Sequence, residues 1–141
     1  MLQKQICVFV ENKKGRLAEV TRTLGNNNIN MSALSIADTT DFGILRMIVD
    51  KTDEAEKILK EHGFTVSVSD VIAISVLDKP GGLADVLDVL DNMDINIEYV
   101  YAFFRKNSDK AAVIIKVDKP QEAAEKIMSS PIRALLSDDG L

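Results

Sequence analysis

One cysteine and one histidine are the chain's whole supply of thiol and imidazole among 141 residues. The lone Cys7 excludes an intrachain disulfide and any multi-cysteine metal site. Set among apolar strand residues, it reads as packing rather than as a nucleophile. His62, with no second histidine or cysteine cluster to join, is a poor metal ligand. Its place beside Gly63 suits a partner for the negative end of a helix. Long apolar runs are missing too: Lys, Asp or Asn interrupts every candidate before it reaches the length of a membrane span. Positive charge is scarce, with 17 Lys and Arg against 22 Asp and Glu and a net charge of −5. A phosphate backbone needs a basic face, so neither nucleic acid nor a membrane is an expected partner. The start, Met1 to Ile6, leads straight into strand-like sequence, so no signal peptide is expected and the cytoplasm is the expected compartment. No metal and no cofactor is expected.

What the chain does have is a repeat. Hydrophobic residues at 46% and charged residues at 28% describe a globular protein. The stretch Val10-Glu11-Asn12-Lys13-Lys14-Gly15-Arg16-Leu17-Ala18-Glu19-Val20 returns as Val76-Leu77-Asp78-Lys79-Pro80-Gly81-Gly82-Leu83-Ala84-Asp85-Val86. Each copy begins as an apolar strand, turns through a polar segment ending in Gly, and opens a helix. That arrangement aims free backbone N–H groups and the positive helix end into the space above the turn, which suits a small carboxylate. Gly81 lies 66 positions after Gly15, and Asn28-Ile29-Asn30 returns as Asp94-Ile95-Asn96 at the same offset. Later the offset is 68, since Asp50-Lys51 returns as Asp118-Lys119. A two-residue insertion is therefore predicted in the loop around 105–108, where length varies at least cost.

Alternation of Ile, Val and Phe predicts a strand over 5–11. Leu17, Val20 and Leu24 at helical spacing predict a helix from Gly15 to about Asn27. Strands follow over 30–38 and 42–50, a helix from Thr52 to His62-Gly63, and a strand over 64–69. The second copy repeats this order through Ile132 to Leu136. The order strand-helix-strand-strand-helix-strand is the split βαβ of ferredoxin-like domains, an α+β class with antiparallel sheets and helices on one face. Two such domains are expected, residues 1–69 and 70–141, packed side by side with eight strands in one sheet, because no linker separates them around 64–77. Several strands are apolar on both faces: Cys7 and Phe9 oppose Ile6, Val8 and Val10. A second copy of the chain is expected to cover the outer face.

At this point the residues resemble the ACT domain, a ferredoxin-like module that binds amino acids and regulates metabolic enzymes, in two tandem copies. The resemblance rests on Asn12-Lys13-Lys14-Gly15-Arg16-Leu17 and Asp78-Lys79-Pro80-Gly81-Gly82-Leu83, with Asn28-Ile29-Asn30-Met31 and Asp94-Ile95-Asn96-Ile97. The family pattern has Pro before the Gly; the second copy has Pro80, and the first departs with Lys14. The resemblance implies ligand binding where two such domains meet. Pairing of the two copies through their second strands would combine Asn12 and Gly15 with Asn96, and Asp78 and Gly81 with Asn30. Backbone N–H groups near Gly15 and Gly81 would take the ligand carboxylate, and carbonyls with the Asn side chains its ammonium. Lys14, Arg16, Leu17, Met31, Pro80, Gly82, Leu83 and Ile97 complete the expected sites. The neutral, locally basic Asn12 site is expected to be the tighter. The implied partners are a free amino acid, a second copy in a homodimer, and a metabolic enzyme or transcription system regulated in trans.

Two further readings are open. An acyl-phosphate hydrolase on the same scaffold would need an Arg-bearing cradle with a positioned Asn; the first turn has Arg16, the second Gly82, and no acid–base pair is evident. A structural dimerisation unit would use Gly15, Gly81 and the asparagines for turns alone. Recurrence of the pattern favours ligand contact, and no catalytic residue is assigned. Tyr99, Tyr101 and Phe103 share a strand face that reads as packing rather than an RNA platform. Asp85, Asp88, Asp91 and Asp94 read as a solvated helix side rather than a calcium loop.

Overall fold

The computed structural model of the chain describes residues 2–38, 40–104 and 107–132. Its elements are β1 (Leu2–Glu11), α1 (Arg16–Asn26), β2 (Met31–Asp38), β3 (Phe42–Val49), α2 (Thr52–Glu61), β4 (Thr65–Leu77), α3 (Gly82–Asn92), β5 (Ile97–Phe104), β6 (Lys110–Val117) and α4 (Pro120–Met128). They fall into two compact units, Lys4–Ser69 and the chain from Asp70 onward with its first residues.

In the unit Lys4–Ser69 the strand order is β2-β3-β1-β4, with β3 antiparallel to both β1 and β2. Alternation decides what is buried. Ile6, Val8 and Val10 of β1 join Leu45, Met47 and Val49 of β3 in one core. Val20 and Leu24 of α1 and Ala55 and Leu59 of α2 close that core from the same side. Cys7 and Phe9 point the other way, beside Arg46 and Ile44 in register. The helices thus cover one face of an antiparallel sheet, in the ferredoxin-like α+β manner.

The second unit repeats the plan with the strand order β4-β6-β5. Ile72, Ile74 and Val76 meet Val113, Ile115 and Val117 under Val86 and Leu90 of α3 and Ala123 and Ile127 of α4. Val100 and Ala102 of β5 lie opposite Ile115 and Val113, so they face the helices, and Tyr99, Tyr101 and Phe103 take the other face. Asn28 and Asp94, 66 positions apart, both stand at φ 57° in the turns that lead into β2 and β5. Left-handed backbone favours Asn and Asp among residues with a Cβ, so each repeat uses the same device at the same place. The β2–β3 connection is 39–41 and the β5–β6 connection 105–109, which locates the two-residue insertion.

The strand count differs from the eight expected. The strand over 64–69 and the first strand of the second copy are one strand of 13 residues, Thr65–Leu77. Nothing in Ser67-Val68-Ser69-Asp70-Val71 breaks an extended chain, since it lacks Gly and Pro and carries β-branched residues. The final expected strand, through Leu136, runs beyond the described residues. Among the described residues six strands and four helices remain.

Candidate functional site

The two Gly turns are built from the same bonds. In the first, Asn12 N–H donates to Asp41 O at 3.0 Å, Lys13 N–H to Glu11 O at 2.7 Å, Arg16 N–H to Lys13 O at 3.3 Å and Glu19 N–H to Gly15 O at 2.9 Å. In the second, Asp78 N–H donates to Asp109 O at 2.8 Å, Lys79 N–H to Leu77 O, Gly82 N–H to Lys79 O and Asp85 N–H to Gly81 O. Gly15 at φ 91° and Gly81 at φ 84° occupy the N-cap positions in left-handed backbone, with no side-chain cap at either helix. Only glycine adopts that conformation without strain. Lys14 in place of the usual Pro does not alter the turn, because the bonding on both sides already fixes it.

Helix starts leave amide donors over. Among the described residues the N–H groups of Gly15, Leu17 and Ala18, and of Gly81, Leu83 and Ala84, meet no acceptor in the chain. Both turns are exposed over 12–15 and 78–81. Lys14 also brings an N–H that Pro80 cannot have. The first turn therefore offers one donor more than the second.

Asn30 and Asn96 stand at the other end of each unit. Asn30 N–H donates to Asp50 Oδ1 at 3.0 Å, and Asp50 N–H returns a bond to Asn30 O at 3.1 Å. Asp118 N–H reaches Asn96 O at 3.4 Å in the matching place. Asp41 precedes β3 and Asp50 follows it, so Asn12 and Asn30 are separated by the eight residues of that strand, about 26 Å. No single unit brings its Gly turn to the Asn at the start of its second strand. The side amide of Asn12 donates to Thr40 O at 3.4 Å and ties the turn to the β2–β3 loop. Both Asn30 and Asn96 are exposed, while their neighbours Met31 and Ile97 pack against the cores.

The expected pairing of second strands is not made. Among the described residues β2 pairs only with β3 and β5 only with β6, each as an edge strand of its unit. Leu17 and Leu83 are exposed at the helix starts, and Leu34, Ile36 and Val100 on the edge strands. Gly82 is buried in its turn, and Pro80 is exposed.

Charge around the first turn is already partly committed. Lys13 Nζ is 2.8 Å from Glu11 Oε2, and Arg16 reaches Glu11 at 3.8 Å and Glu19 at 3.1 Å. Lys14 has no carboxylate partner among the described residues. The Lys13 contact, then the charges of Lys13 and Arg16, hold the Glu11 carboxyl below its ordinary value of 4.5. A depressed carboxyl contributes stability above its unfolded value and loses it as pH falls through the folded value. Because Glu11 is exposed, the effect on stability is small. The carboxyl carbon of Glu11, followed by NMR, is expected to titrate below that of a free Glu. Lys13→Ala should move the midpoint upward; an unchanged midpoint would contradict the assigned cause.

Three residues that carry this geometry were not singled out as site residues by the sequence: Glu11, Asp41 and Asp50. Asp50 left a signal, since Asp50-Lys51 recurs as Asp118-Lys119. Lys51 Nζ holds Asn28 O at 3.1 Å, so that pair fixes the start of β2 from two sides. Among the described residues no group of three or more His, Cys, Asp or Glu is placed to hold a metal ion. Nor is any helix among them long and apolar enough to cross a membrane.

A family model described as an ACT domain pair matches residues 1–139. Among solved structures, protein BT0572 from Bacteroides thetaiotaomicron is 45% identical with a TM-score of 0.84, over 91% of this chain and 88% of that one. The regulatory subunit of aspartate kinase from Thermus thermophilus, in ligand-free form, shares the fold at a TM-score of 0.65 and 19% identity, over 89% and 90%. Aspartokinase III from E. coli, in complex with lysine and aspartate, does so at 0.56 and 20%, over 95% of this chain and 32% of that one. No curated protein matches the chain.

Proposed function

Since the chain belongs to the ACT domain pair family, we propose that it is a cytoplasmic, non-catalytic regulator that binds a free amino acid and passes the bound state to a separate metabolic enzyme or transcription system. The two domains are assigned to residues 1–69 and 70–141. The observation that carries this reading is the pair of matched turns whose N–H groups at Gly15, Leu17 and Ala18, and at Gly81, Leu83 and Ala84, have no acceptor in the chain among the described residues. A carboxylate satisfies such donors at a helix start. An ammonium needs acceptors, and the exposed side chains of Asn30 and Asn96 offer them.

These groups converge if two copies of the chain join through the edge strands β2 and β5 as a homodimer. Exposed Leu34 and Ile36 on one edge and Val100 on the other, with Leu17 and Leu83 beside the turns, supply apolar surface for that contact. One site would then combine Asn12, Lys14, Gly15, Arg16 and Leu17 with Asn96 and Ile97. The other would combine Asp78, Pro80, Gly81, Gly82 and Leu83 with Asn30 and Met31. We rank the first as the tighter, on its extra donor at Lys14 and the carboxylate-free cation of that residue.

Calorimetry against the amino acids is the test, begun with lysine because it is named in the complex of a protein of shared fold. Saturable binding without turnover is expected, with a dimer mass by light scattering. Asn96→Ala should weaken the tighter site by about tenfold to hundredfold, the loss of one buried hydrogen bond of roughly 1–3 kcal/mol. If Asn30→Ala removes the tighter binding and Asn96→Ala leaves it intact, the ranking of the sites is wrong. No heat with any amino acid would leave the structural dimerisation reading in its place.

A further inference from the structure

Three of the chain's five phenylalanines line one small cavity in the unit Lys4–Ser69. Phe9, Phe42 and Phe64 form its walls, with Arg16, Glu11 and His62 among them. The cavity lies where β1 ends, β3 and β4 begin, and α1 starts. Its volume is about 160 Å³, room for roughly ten water-sized groups. Glu11 and Phe42 are directly opposed in the β1–β3 register, and Phe9 stands one step away on the same face. Phe9 and Phe42 are 47% and 52% exposed. Two half-bare aromatic rings beside a hollow leave apolar surface in water that an occupant would cover.

The fold does not require these side chains. At the matching positions the second repeat has Ser75 for Phe9, Leu77 for Glu11, Gly82 for Arg16, Lys110 for Phe42, Ser130 for His62 and Ile132 for Phe64. Leu77 opposes Lys110 in the same register that pairs Glu11 with Phe42. One backbone plan is thus built twice, once with an aromatic and charged lining and once without. Packing needs common to both repeats do not explain the difference.

We propose that this cavity, which borders the first Gly turn and shares Arg16 with it but has no counterpart at the second, is a binding site for a small monocarboxylate with an apolar body. Arg16 is the group that selects the acid. A guanidinium has five N–H donors, and Glu19 at 3.1 Å and Glu11 at 3.8 Å leave several of them over. Lys13 Nζ at 2.8 Å from Glu11 Oε2 offsets part of that carboxylate's repulsion of an incoming anion. His62 closes the wall in a fixed orientation: its Nδ1 donates to Ile58 O at 2.8 Å. The apolar body of the ligand covers the rings of Phe9, Phe42 and Phe64, and water at those rings is released.

The test uses the full chain and two probes, 3-phenylpropionate and its uncharged alcohol 3-phenylpropanol. Amide signals of Gly63 and Thr65 should shift on titration with the acid, while those of Gly81 and Asn30 stay in place. The acid should bind at least about tenfold tighter than the alcohol, the worth of a charged hydrogen bond. Arg16→Gln should erase that preference, and Phe42→Ser should weaken both probes about tenfold. Phe9→Ser, which copies Ser75, repeats the second measurement at an independent position. Equal affinity for acid and alcohol, unmoved Gly63 and Thr65 signals, or undiminished binding by folded Phe9→Ser would each overturn the proposal. Amino-acid binding is read at the second site, from Gly81 and Asn30, which shares no residue with the cavity, so failure of either reading leaves the other standing.

Discussion

Gly82→Ala is expected to destabilise the second repeat by about 3 kcal/mol, at the upper end of what overpacking costs. A Cβ at this position would fall inside the van der Waals envelope of the Leu77 carbonyl oxygen and close to its carbon. The obstruction is backbone, so no rotamer change relieves it. The same carbonyl accepts the Lys79 N–H at 3.0 Å, and the Gly82 N–H donates to Lys79 O at 3.0 Å. Moving Leu77 would therefore loosen the turn at both ends, along with the end of β4. The matching residue in the first repeat is Arg16, which carries a Cβ in a turn of the same bonding pattern. The second turn is the tighter of the two, and Gly82 is what lets it close. Gly25→Ala is the control, since nothing lies within 4 Å of a Cβ there and the residue is helical. It should stabilise by about 0.5–1 kcal/mol. Thermal unfolding of the two variants gives the comparison; a Gly82→Ala protein that melts with the wild type would show that the turn has slack.

Repetition made most of the fold legible in the sequence. Ile6, Val8 and Val10 and their partners Ile72, Ile74 and Val76 alternate in both copies, and both sets lie in the cores. Gly15 and Gly81 announce left-handed turns because no other residue takes that conformation freely, and both have positive φ. Where two strands join without a turn, alternation has no boundary to report, and so nothing in the sequence distinguishes the continuous β4 from two strands. Strand pairing was the harder matter. The pattern of β2 says that one face is apolar, and nothing in it names the strand that lies alongside. The cavity was equally hidden. Phe9, Phe42 and Phe64 are spread over 55 positions of sequence, and only the β1–β3 register brings the first two side by side. Differences between repeats were the available signal: Ser75 against Phe9 and Lys110 against Phe42 mark positions that the common fold leaves free.

Leu90→Ala is expected to cost more than Leu24→Ala, although the two residues occupy the same place in the repeat. Leu24 is 0% exposed and Leu90 1%. Each sits near the end of its helix, and each carbonyl accepts an N–H from five residues on, Ile29 at 3.0 Å and Ile95 at 3.3 Å. Removal of a buried leucine side chain costs roughly 2–5 kcal/mol, and the spread reflects how far the surroundings collapse into the space. The core that holds Leu24 has Ile6 and Ile29 but also Leu45, Leu59 and Met47, unbranched at Cβ, and the thioether chain of Met47 has three soft torsions with which to fill a gap. In the core that holds Leu90 the other large buried residues are Ile72, Ile74, Ile95, Ile115, Ile127 and Ile132, whose χ1 angles are stiff. The second core therefore keeps more of its cavity. A difference of about 1 kcal/mol follows if some 40 Å³ more stays empty, at roughly 24 cal/mol per Å³. Native-state hydrogen exchange separates the two cores, through the Val8 amide for Leu24→Ala and the Ile74 amide for Leu90→Ala. Faster exchange at Ile74 in the one than at Val8 in the other is the expected order. The reverse order would show that side-chain stiffness does not govern how these cores respond to lost volume.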